Sequence, residues 1–147
     1  MSSFSISGEG PEWHVFKSRS KDGRPVIVRS RLANAPLREF SHASFMARLR
    51  CVLPNDGVGE AGLPLSTDAL DEFEDRLLTK LGDEGAQTYE VAVVTSDGCR
   101  DLFFAASEDG ELLAAVREIG RDLPFKIELA RLDGAKDSLL RSLTPRE

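Results

Sequence analysis

The chain has little of what most recognisable catalytic sites are built from. Its 147 residues include two histidines, two cysteines, one tryptophan and one tyrosine. Cys51 and Cys99 stand far apart, without the close Cys or His partners that a zinc site uses. Each falls in a predicted strand among apolar neighbours and reads as a small buried hydrophobe. No stretch approaches the roughly 20 apolar residues of a membrane span, so no membrane role is expected. The first residues, Met-Ser-Ser-Phe-Ser-Ile-Ser-Gly, lack a basic region leading into an apolar run. No secretion signal is read there, and a cytoplasmic setting is expected. In such a reducing compartment the two thiols are not expected to pair.

Motifs are scarce as well. No Walker loop, lipase-type elbow or paired glycosidase signature stands out. Gly57-Val58-Gly59-Glu60-Ala61-Gly62 matches the dinucleotide fingerprint as a string. The chemistry needs the third glycine to enter a helix whose amides meet the pyrophosphate. Leu63-Pro64-Leu65 intervenes, and Glu60 would set a negative charge near the phosphates, so the string reads as a flexible loop. Asp68, Asp71, Glu72, Glu74 and Asp75 offer carboxylates, but on a helix rather than on a tight calcium loop. They read as the first turns and solvent face of that helix. No metal and no cofactor are expected.

What is present fits one globular α+β unit. Apolar residues make up 41% and charged residues 30%, which argues against global disorder. A chain of this length buries roughly 70% of its unfolded surface and needs no staple. The net charge of -6 hides an asymmetry. Residues 1–50 hold nine Lys+Arg against four Asp+Glu, whereas residues 51–147 hold ten against twenty-one. The first third is basic enough to matter locally.

Residues 1–11 read as a loose lead-in and 12–147 as a single domain. Alternation around Trp13, Val15 and Phe16, an Asp22-Gly23 turn and a return strand from Pro25 to Leu32 predict a hairpin over 12–32. Residues 42–53 alternate again, with Phe45, Ala47, Leu49, Cys51 and Leu53 on one face and Met46, Arg48 and Arg50 on the other. Helical spacing of Leu70, Phe73, Leu77 and Leu81 predicts a helix over 67–81, stopped by Gly82. Valine-rich residues 88–96, a turn at Asp97-Gly98 and residues 99–106 predict a second hairpin. A helix over 109–121, a strand over 124–132 and a tail over 133–147, with a short helix at 135–143, complete the reading. The order over 42–132 is β-α-β-β-α-β. It predicts a ferredoxin-like antiparallel sheet with two helices on one face, preceded by the N-terminal hairpin.

Trp13, the Gly62-Leu63-Pro64 segment before an acidic helix, Tyr89, and Asp97-Gly98-Cys99-Arg100 leading into Leu102-Phe103-Phe104 follow one another in a telling order. In this the chain resembles a bacterial family catalogued as domain of unknown function 695, from Trp13 to Pro145. It departs from that family's pattern at the end, where Asp133 is followed by Gly134 and leucines rather than aromatic residues. The resemblance implies no catalytic residue. Some relatives are joined to a domain similar to the protein inhibitor of ribonuclease E, which implies regulation through protein contact.

Arginines carry the sharpest functional expectation. Arg29 and Arg31 alternate on one predicted strand, and Arg48 and Arg50 on another. If those strands are neighbours, four guanidiniums share the sheet surface away from the helices. Such a face, with His42 and Phe103, would suit a protein partner or self-association, because guanidinium grips carboxylate or phosphate in a bidentate way. Nucleic acid is the weaker alternative: Cys99-Arg100-Asp101-Leu102 stands where an RNA-binding sheet carries aromatic residues. An enzyme with a site assembled from distant residues, His42 as its base, is the third.

Overall fold

The computed structural model describes residues 14–30, 45–83, 88–106 and 109–132. Six strands form one antiparallel sheet in the order β1-β2-β4-β5-β3-β6. They are β1 (His14–Arg19), β2 (Pro25–Ser30), β3 (Phe45–Val52), β4 (Thr88–Ser96), β5 (Cys99–Ala106) and β6 (Lys126–Leu132). Two helices complete the set, α1 (Asp68–Asp83) and α2 (Asp109–Ile119). The exact ferredoxin-like sheet expected from element order is not the one observed. The layer has six strands: of the two places open to the hairpin, extending the sheet or flanking it, it takes the first, because β2 pairs with β4 through Ile27–Ser30. The predicted lead-in, residues 31–44 and the C-terminal tail with its expected short helix lie outside the described residues.

Both helices lie on one side of the sheet. Leu70, Phe73, Leu77 and Leu81 of α1 and Leu112, Ala115, Val116 and Ile119 of α2 pack against Leu49, Val93, Leu102 and Phe104 in one core cluster. Burial of such side chains stabilises by roughly 1.5–3 kcal/mol each. Thr67 stands at the cap position of α1, its carbonyl accepting the first helical bond from the Asp71 N–H at 2.8 Å, and the Ser66 Oγ before it accepts from the Asp68 N–H at 3.2 Å. Asp68 and Asp71 then place negative charge in the first turn, where the helix dipole favours it. Gly82 does not stop this helix; it lies inside it, one residue before the end.

The other side of the sheet is not open at its centre. Met46, Val91, Ala92 and Ala105 are fully buried there and Phe103 nearly so, forming a second cluster. The reason is legible in β4 and β5. Val91-Ala92-Val93-Val94 and Leu102-Phe103-Phe104-Ala105-Ala106 do not alternate, and unbroken apolar runs mark strands buried on both faces. A bulge between Glu90 and Ala92 adds an extra residue, Val91, to β4.

The Gly57–Gly62 string is a loop closed by its own backbone hydrogen bonds. The Gly59 N–H donates to the Leu63 carbonyl at 2.8 Å and the Leu65 N–H to the Gly57 carbonyl at 2.9 Å. The loop is tied to the β4–β5 turn by the Gly98 N–H, which donates to the Gly62 carbonyl at 2.7 Å. Gly62 itself sits at φ +87°, and a Cβ there would stand 3.0 Å from the Asp97 Cα. Its glycine serves a close backbone approach.

Candidate functional site

Strand register decides where the arginines go. Arg29 pairs with Val93, and Val93 with Leu102, so all three project to the helix side. Arg48 pairs with Phe103 and Arg50 with Asp101, which places them on the opposite side with Met46. Strands β2 and β3 are not neighbours, since β4 and β5 lie between them. The shared four-arginine surface therefore does not form. Arg31 and His42 lie outside the described residues. Phe103, 7% exposed, is packed into the second cluster instead of standing out from it.

Arg50 is held by Asp101, with Nε donating to Oδ1 at 2.8 Å and Nη2 to Oδ2 at 3.0 Å. This bidentate bond raises the guanidinium pKa further. Arg48 is half-buried, and its Nε lacks a hydrogen-bond partner among the described residues.

Arg29 enters a different constellation, one the sequence reading missed. Its Nη2 donates to Glu74 Oε2 of α1 at 2.5 Å. The other oxygen of Glu74 lies 3.9 Å from Nη1 of Arg100 on β5. Arg100 in turn donates from Nη1 to Asp71 Oδ1 at 2.7 Å and from Nε to Thr95 Oγ1 at 3.2 Å. Thr67 Oγ1 closes the chain by donating to Asp71 Oδ2 at 2.9 Å. Two guanidiniums, two carboxylates and two hydroxyls from β2, β4, β5, α1 and Thr67 just before α1 thus form one network. Glu74 and Arg100 are buried, whereas the Asp71 side chain is 57% exposed.

The signals for this network were in the sequence. Glu74 is four residues after Leu70 and three before Leu77, so it stands on the apolar stripe of α1. It is 5% exposed, unlike Asp68, Asp71, Glu72 and Asp75, and does not belong to the solvent face assigned to it. Arg100 alternates with Leu102 and Phe104, which point at the helices. A charge on each of two facing apolar stripes is the pattern of a buried pair.

A groove of about 280 Å³ lies over the network, between α1 and the strands. Val15, Ile27, Arg29, Thr67, Asp71 and Arg100 contribute to its lining. Val15 is 58% exposed there. The arrangement positions two guanidiniums, those of Arg29 and Arg100, beside the apolar Val15 and Ile27. The thiols supply no ready nucleophile: burial pushes the Cys51 pKa up to about 12, and burial also raises that of Cys99. The two are unpaired. His14 belongs to β1. No group of three or more His, Cys, Asp or Glu suited to a metal ion occurs among the described residues. Among them, no helix is long and apolar enough to cross a membrane.

Neither a curated protein nor a solved structure matches the chain. A family model described as a family of unknown function, DUF695, does match over residues 11–132, and the chain belongs to that family.

Proposed function

We propose that this chain is a non-enzymatic module that binds a protein partner, and that it does so through the groove between α1 and the β1–β2 hairpin. The observation that carries the reading is the pair of guanidiniums in the groove lining, Arg29 and Arg100, with Glu74 buried between them. Guanidiniums fixed in advance lose little freedom on binding, and arginine is enriched among the few residues that dominate the energy of a protein interface. Val15 supplies an apolar anchor. Two unpaired cysteines suit a reducing compartment, which supports a cytoplasmic setting. The nucleic-acid reading rested on a four-arginine face, and no observation now favours it.

The test compares wild type with Val15→Asp and Lys126→Ala in affinity capture from a cell extract, with light scattering for self-association. Val15 and Lys126 lie on strands at opposite ends of the strand order. Val15→Asp should keep its melting temperature and lose the retained protein or the dimer, while Lys126→Ala keeps it. Wild type that retains nothing and stays monomeric, or Val15→Asp that binds as well as wild type, rejects the reading.

A further inference from the structure

A cleft of about 460 Å³ opens where the end of β3 and the turn after it meet the start of β6. Its apolar lining includes Leu53, Pro54, Leu123 and Phe125, and its polar lining is Asn55 and Lys126. That volume lies in the range of small-molecule pockets, which are mostly apolar with a few convergent polar groups. The walls are built in advance. Phe125 is buried and stands edge-on to Phe73 of α1, with ring centroids 5.6 Å apart. Pro54 opens a tight turn in which the Gly57 N–H donates to its carbonyl at 2.9 Å. The Leu53 N–H is fixed to the Gly98 carbonyl at 2.9 Å. Lys126 is the one cationic side chain of the lining, and it forms no ion pair among the described residues.

We infer that this cleft binds a small amphipathic carboxylate, its apolar body against Phe125 and Leu53 and its anionic end at the Lys126 ammonium. Apolar contact with the cleft holds an uncharged aliphatic chain weakly, and the ammonium adds the preference for an anion. The cleft is lined from β3 and β6, at the other end of the strand order from β1, so the site is independent of the partner groove.

Octanoate and n-octanol serve as probes, titrated into the full chain by calorimetry and followed by amide shift mapping. Octanoate should saturate in roughly the millimolar range, with shifts centred on Leu53, Phe125 and Lys126. Lys126→Ala should weaken octanoate about tenfold and leave n-octanol unchanged. Leu53→Trp should fill the cleft and abolish both. Absence of saturation, shifts centred elsewhere, n-octanol binding as tightly as octanoate, or an unaltered Lys126→Ala would each overturn the assignment. Lys126 is exposed, so that variant reads out binding without risk to the fold.

Discussion

Glu74 shows how one side chain can set both stability and readiness to bind. Its carboxylate is taken out of water, and two guanidiniums compensate for the desolvation. A pair of this kind is worth little against an apolar replacement of both partners, but removing one partner leaves an uncompensated charge. Glu74→Ala should therefore lower unfolding free energy by about 3 kcal/mol in urea titrations, whereas Asp71→Ala, at an exposed member of the same network, should cost about 1 kcal/mol or less. Equal losses would show that the network is not centred on Glu74. Cys51 gives a second residue-scale expectation, with a definite sign. Its thiol ionises near 9.0 in the unfolded chain and only near 12 when folded. The folded state thus holds the proton more tightly, so the contribution is complete below pH 9.0 and is lost as pH rises towards 12. Unfolding measured from pH 8 to pH 10.5 should show stability falling less steeply in Cys51→Ala than in wild type. Parallel curves would remove Cys51 from the alkaline limb.

At the scale of elements, the two helix ends respond to one substitution with opposite signs. Gly82 lies within the last turn of α1, and a Cβ there meets nothing within 4 Å. Alanine favours helix over glycine by about 0.8–1 kcal/mol, so Gly82→Ala should raise the melting temperature. Gly120 follows α2, its N–H donating to the Val116 carbonyl at 2.7 Å. A Cβ at Gly120 would stand 2.6 Å from the Val116 carbonyl oxygen and 2.7 Å from Cδ1 of Ile127 on β6. Backbone cannot give way there, and Gly120→Ala should lower the melting temperature by several degrees. A matching sign for the two would contradict the packing of α2 against β6. These elements were legible because local patterns specify them: helical spacing for α1 and α2, Asp-Gly turns for the hairpins, alternation for β3. Strand order was legible only in part. Nothing local says that β2 joins β4, because that pairing depends on an edge left available far along the chain. The arginine face failed for the same reason, since it presumed β2 beside β3.

The described sheet is enclosed at its centre on both faces, and its β1–β2 end joins the rest through a shorter ladder than those between the central strands. Met46, Leu49, Leu102, Phe104 and Val91 are fully buried in β3, β4 and β5, distributed over two apolar clusters. The hairpin, by contrast, holds to β4 over four register pairs, aided by Arg29–Glu74 and by an exposed ion pair of 3.1 Å between Arg24 and Asp97. Exposed pairs of that kind contribute about 0–1 kcal/mol, so the ladder, the buried Val28 and Arg29–Glu74 weigh more in the attachment than Arg24–Asp97 does. Local opening follows the density of buried apolar contact. Native-state hydrogen exchange should accordingly find the slowest amides in β3, β4 and β5 and open β1 and β2 at lower free energy than the rest. Glu74→Ala should accelerate exchange in β2 beyond what its global destabilisation accounts for, leaving β3 and β5 tracking the global value. If β1 and β2 exchange only with global unfolding, the hairpin is part of the central cooperative unit, and the groove beside it is as rigid as the core.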